Sequence, residues 1–160
     1  MSIAKVILLT GRDEAPVLKH MLLLARLDGP SYNFHPGPPE RPGRYPSVFA
    51  LFDGAAEFGI TFHEMAPRVD SGPIVMTERF AIPEPCDLGG LEALTMTRLA
   101  QAFKRMAPYL ANVARPLPHL PVAWSGRRTS RADYEALRAI TQDMDAAEVD
   151  RRRRCCGDVD

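Results

Sequence analysis

The sequence predicts an α/β fold: an open, mostly parallel sheet flanked by helices, followed by a helical extension at the C-terminal end. Three observations carry this. Short apolar runs alternate with a segment of helical spacing in the first part of the chain. Gly and Pro stand at nearly every junction between them. From Leu88 onward the spacing turns helical.

The elements follow in order. KVILLT, Lys5 to Thr10, is an apolar run closed by Gly11 and reads as a buried strand. Asp13 can cap the next segment, with Pro16 tolerated in its first turn. Leu18, Met21, Leu22 and Ala25 then share one helical face, and Asp28-Gly29-Pro30 ends it. Ser31 to Phe34 follows as a second strand, completing a strand–helix–strand unit with parallel strands. A Pro/Gly loop runs to Pro46. Ser47 is the expected cap of a short helix, Val48 to Phe52, that ends near Gly54.

Phe58, Ile60 and Phe62 alternate with Gly59, Thr61 and His63, which is the period of a strand with one buried face. A loop from Ala66 to Pro73 leads to a further strand, Ile74 to Ile82. Leu91, Leu94, Leu99, Ala102, Phe103 and Met106 fit a helix, which Pro108 should kink or restart. PLPHLP, Pro116 to Pro121, reads as an extended linker. Ser130-x-x-Asp133 resembles a capping box opening a helix to about Ile140, and Asp145-x-x-Glu148 opens another. The expected division is a sheet-bearing domain over residues 1–115 and a linker with a helical extension over 116–160.

Bulk properties exclude several classes. The 160 residues suit one principal domain. Twenty basic and twenty acidic side chains cancel, so nucleic acid is not the expected partner. The apolar run near the N-terminus is far too short to span a membrane and lacks a signal-peptide cleavage pattern. Cys86, Cys155 and Cys156 form neither a disulfide framework nor a zinc pattern. A reducing cytoplasm is therefore the expected location, with no metal.

The candidate chemistry lies in SYNFHPGPPERPG. Asn33 and His35, two residues apart, share one face of their strand. They stand at its C-terminal end, the rim where open sheets bind ligands. The four prolines that follow cannot form a helix, so the loop can wall a pocket. The plain alternative is a pair of hydrogen-bonded loop residues. Asp70, in RVDSGPI, is the second candidate, although Asp-Ser-Gly is also an ordinary turn. His63 could join His35 and Asp70 around a metal, but the spacing matches no standard zinc pattern. Arg151 to Arg154 reads as a solvated helix end, and Trp124 as a packing anchor.

Taken together, NFHPGPPERPG, PSVFALFDG, FGITFHEM and VDSGPIV resemble the folate-dependent formyltransferase family, in that order and spacing over about Ser31 to Ile82. WSGRRTSRADYEALRAI and EVDRRRR resemble, more distantly, the region after the catalytic domain in amino-sugar formyltransferases. The resemblance implies a formyltransferase-like, Rossmann-related catalytic domain. It implies transfer of a formyl group from N10-formyltetrahydrofolate to an amine, with Asn33, His35 and Asp70 catalytic. Gly37, Pro38, Pro39, Glu40, Val69 and Ser71 would lie against the folate. The chain departs from the family upstream, where LLTGRDEAPVLKHML runs almost directly into LLARLDGPSYNFHPG. The N-terminal half is thus expected to be shortened, leaving a sheet edge through which a homodimer could form. No β-barrel tail of the tRNA-acting kind follows, so a small amine such as an amino sugar is the expected acceptor. The alternative is a shortened, catalytically weak or inactive relative serving as a binding or interaction module.

Overall fold

The computed structural model describes residues 5–7, 30–111 and 116–157. The helix expected between Asp13 and Ala25 lies outside them. A single four-stranded sheet has the order β1 (Lys5–Ile7), β2 (Ser31–His35), β3 (Glu57–Glu64), β4 (Ile74–Ala81). As the strand–helix–strand pattern requires, β1 and β2 are parallel. The other pairs, β2–β3 and β3–β4, are antiparallel. The expectation of a mostly parallel sheet is therefore corrected to a mixed sheet within an α/β fold.

Connection length explains the correction. Parallel neighbours need a crossover of about a dozen residues or more. The nine residues between Glu64 and Ile74 cannot supply one. Between β2 and β3 the only helix is α1, Pro46–Phe52, seven residues long. At about 1.5 Å per residue it is too short to carry the chain back along a strand. The chain therefore re-enters the sheet from the rim it left.

The strand register sorts side chains by face. Phe34 lies opposite Phe62, and Asn33 lies opposite His63. Tyr32, Phe34 and Phe62 form one aromatic row; Phe34 and Phe62 stack with centroids 4.3 Å apart. Against this core lie α1 and the long α2, Leu88–Ala111, through Val48, Leu51, Leu91, Leu99 and Ala102. Helix α2 runs on through Pro108 as one element. The proline forfeits one late hydrogen bond, with only one turn of helix left to disturb. Phe103 touches Phe34 edge-on yet remains 44% exposed.

Pro46 itself, not Ser47, opens α1. Its missing N–H needs no cap, and Tyr45 before it adopts a left-handed φ of 56° with its ring stacked on Tyr134. Helices α3 (Arg131–Arg138) and α4 (Ala146–Cys156) start where the capping patterns place them, at Ser130 and Asp145. Leu137, Cys155 and Cys156 join the same apolar cluster as the sheet. No helix among the described residues is long and apolar enough to cross a membrane.

The arginine run is only partly a solvated end. Arg152 is mostly buried, and its Nη1 donates to the carbonyls of Leu137 and Ala139 at 2.7 and 2.9 Å, closing the C-terminal end of α3. Its Nε donates to Glu148 at 2.7 Å. Arg151 lies over the Phe52 ring, 4.1 Å from its centroid. Arg152→Ala strands those carbonyls and should destabilise the protein by about 1.5–3 kcal/mol in urea denaturation. Arg153→Ala, at an exposed position, should change stability by no more than ~0.5 kcal/mol. Equal losses for the two variants would mean that the run acts only through its charge.

Candidate active site

Asn33 and His35 project from the same face of β2, and His63 and Thr61 stand opposite them on β3. A bulge between Phe62 and His63 shifts the register of β3 against β4 where His63 sits. Beyond β3 the loop brings Asp70 back over this polar row. The three residues expected to be catalytic, Asn33, His35 and Asp70, therefore meet, and all are buried. His35 Nδ1 is 3.4 Å from Asp70 Oδ2, and His63 Nε2 is 3.5 Å from Asp70 Oδ1. Asn33 Nδ2 is 3.2 Å from His63 Nε2. The sequence offers His63 only as a metal ligand. Among the described residues no group of three metal-binding side chains is placed to hold an ion.

Carbonyl partners fix the outer protons of both rings, because a carbonyl oxygen can only accept. His35 Nε2 donates to Arg41 O at 2.9 Å, and His63 Nδ1 donates to Glu64 O at 2.9 Å. The two inner nitrogens then face the two carboxylate oxygens of Asp70. Burial pushes the Asp70 carboxyl upward, but His35, the His63 hydrogen bond and the Gly43 N–H outweigh it and hold the group below its usual range. Burial pulls His35 down, with Asp70 and the Arg41 carbonyl opposing. The carboxylate and the two inner ring nitrogens thus form one group of proton-accepting positions, and the cluster can take up and share a proton. Such a cluster can act as a general base.

Asp70 holds this place in a left-handed conformation, φ 45°, which costs a non-glycine residue about 1–2 kcal/mol. The loop after His35 supplies one anchor, Gly43 N–H to Asp70 Oδ2 at 2.8 Å. Thr61 Oγ1 donates to Gly37 O at 2.8 Å and pins the start of that loop. Arg79 grips Glu40 with two bonds of 2.7 and 2.9 Å on its outer side.

The fourth wall is a strap, residues 116–130, that the sequence did not reveal. The Trp124 ring stands edge-on to His35 and His63, with centroids 5.4 and 4.9 Å away, and its Nε1 donates to Gly72 O at 2.7 Å. Ser125 N donates to Pro39 O, and Thr129 pairs with Gly43. Gly43 is required there. Its φ is +99°, and a Cβ would lie 2.3 Å from Thr129 O. Trp124 is thus a packing anchor as expected, but the place where it anchors is the site.

Of the residues expected against the folate, Gly37, Pro38 and Pro39 are buried and Glu40 is half-buried in the loop beside the strap. Val69 and Ser71 are exposed on either side of Asp70. Asn33 Oδ1 is buried with no hydrogen-bond partner.

No protein-family profile matches the chain. Solved structures do. A protein of Mycobacterium tuberculosis, described as a sugar N-formyltransferase candidate, superposes with a TM-score of 0.69 at 22% identity over 94% of this chain and 63% of its own. A 4-N formyltransferase of Francisella tularensis gives 0.71 at 18% identity, over 95% of this chain and 60% of its own. The chain has a formyltransferase-like fold. An N-formyltransferase of Helicobacter canadensis, solved with folinic acid and dTDP-3-aminofucose, gives 0.63 at 20% identity, over 79% of this chain and 48% of its own. The chain therefore spans less than two-thirds of the length of each of these formyltransferases. At the level of fold, the resemblance carried by the Asn-x-His and Asp-Ser-Gly motifs is borne out.

Proposed function

We propose that the chain transfers a formyl group from N10-formyltetrahydrofolate to the primary amine of a small acceptor, an amino sugar. The carrying observation is the meeting of Asn33, His35 and Asp70 in one buried cluster. It occurs on a fold shared with an N-formyltransferase solved with folinic acid and an amino-sugar nucleotide. The division into a catalytic domain, 1–115, and an extension, 116–160, belongs to this reading, with the extension closing the site.

The folate supplies the formyl group. The stretch Gly37 to Glu40 would hold it, together with Val69 and Ser71. The residues present fit such a donor in one specific respect: the orphaned Asn33 Oδ1 marks an amide end with no protein partner. Asp70 and the inner ring nitrogens take the proton that the amine loses. Once that proton sits on His63 Nε2, the Asn33 amide can turn, accept from the ring through Oδ1, and present Nδ2 to the oxygen gaining negative charge. His35 would donate to the same oxygen after release from Arg41 O.

The experiment combines purified protein, N10-formyltetrahydrofolate and a dTDP-linked amino sugar, with deformylated folate as the readout. Turnover is expected. A reduced folate at about 100 times its Kd should also add ~2.7 kcal/mol of stability. A second reading, a binding module without turnover, is favoured by the burial of His35 and Asp70, each 3% exposed beneath the strap. Folate stabilisation without transfer would select that reading. No stabilisation at saturating folate would remove the folate assignment altogether.

A further inference from the structure

We infer that Arg128 is a positioning residue for Asp70, acting through the carbonyl of Asp70 to set where its carboxylate meets the two imidazoles. Arg128 Nη2 donates to Asp70 O at 2.9 Å. Asp70 cannot hold this place unaided. Its φ is 45°, and its neighbours Arg68, Val69 and Ser71 are exposed. Two outside anchors meet on it: Gly43 N–H on the carboxylate and Arg128 on the carbonyl. They come from the two sides of one seam, where Gly43 pairs with Thr129. Trp124 holds the next part of the same loop at Gly72 O.

The geometry of Arg128 shows which contact it keeps. Its Nε is buried with no partner. An arginine free to choose its pose would turn that N–H to water. Here the stem lies against Gly43, where an added Cβ would come within 2.8 Å of Arg128 Cγ. The guanidinium is thus held on Asp70 O despite an unmet donor. The titratable groups facing the carboxylate are His35 from β2 and His63 from β3, while Arg128 from the strap holds the carbonyl behind it. Asp70 raises the titration of His35 against burial. Release of Asp70 would leave only the Arg41 carbonyl opposing burial and pull His35 lower.

The test follows the imidazole signals of His35 and His63 by NMR across pH in the free protein, for wild type, Asp70→Asn, Arg128→Met and Arg128→Lys. Arg128→Met keeps the stem and loses the donor. Its His35 should titrate below wild type, toward the Asp70→Asn position. Arg128→Lys, which restores a donor, should bring it most of the way back. If Arg128→Met fails to fold by circular dichroism, Arg128→Leu, which also lacks a donor, carries the same comparison. Should Asp70→Asn move His35 while the Arg128 variant leaves it on the wild-type curve, the inference is wrong. The kinetic arm rests on the formyl-transfer reading: kcat should fall roughly ten- to a hundredfold in Arg128→Met with KM little changed. A wild type with no turnover would overturn that reading and leave the titration comparison to decide the role of Arg128.

Discussion

If the proposed formyl transfer is the reaction, Asp70→Asn should lower turnover by about a hundredfold to ten-thousandfold, the range of a lost general base, and leave the protein folded. The fold should survive because Asn is nearly the same shape and tolerates the left-handed φ that Asp70 adopts. Its amide oxygen can still accept the Gly43 N–H. Its amide nitrogen, however, would then take the place of Oδ1, donate to His63 Nε2 and fill the seat meant for the substrate proton. Turnover within threefold of wild type would show that Asp70 is not the base.

The same variant has a pH signature with a definite sign. Asp70 titrates below its unfolded value when folded. Its contribution to stability is therefore present above the unfolded value, near 3.8, and lost as pH falls through the folded one. His35 is also lowered, so it favours folding above its unfolded value, 6.5, and withdraws that support as pH drops toward its folded one. Each proton contributes a slope of at most about 1.4 kcal/mol per pH unit. In Asp70→Asn the lower, carboxylate limb disappears. The histidine limb deepens, because the charge that opposed burial is gone. Urea midpoints measured from pH 7 down to pH 3 separate the two limbs.

What could be read from the sequence was local. The two-residue spacing of Asn33 and His35 fixes their common face, and the alternation from Phe58 to His63 fixes which side of β3 is apolar. The expected single buried face is corrected: the site loops and the strap cover the polar side too, and both sides are buried. The capping patterns at Ser130 and Asp145 were legible because both partners lie within one turn. Strand direction was not, since an apolar run looks the same whichever way its neighbour points. The nine-residue loop before β4 decided it. The strap was invisible for another reason. Trp124, Arg128 and Thr129 reach partners 52, 58 and 87 residues away, and nothing near them in the chain names those partners. Arg152 was hidden in the same way, in a run of four arginines, although it closes a different helix.

Gly37→Ala should remove activity almost as completely as loss of His35 itself, while costing about 1–3 kcal/mol of stability. Here the requirement for glycine is space. A Cβ at this position would lie 2.6 Å from His35 Nε2 and 2.9 Å from Pro46 Cβ. Pro46 is rigid and opens α1, and Thr61 holds the Gly37 carbonyl from below, so the loop cannot slide away. The ring of His35 must give instead. That breaks its bond to Arg41 O and draws Nδ1 off the Asp70 carboxylate. This is why the rigid loop begins with Pro36-Gly37: the prolines fix its path, and the missing side chain leaves room for the imidazole. The expected result is a folded protein with a lowered melting temperature and turnover at the level of His35→Ala. A variant that melts earlier yet retains wild-type turnover would show that His35 tolerates displacement, and the tight geometry assigned to its contact with Asp70 would then have no catalytic weight.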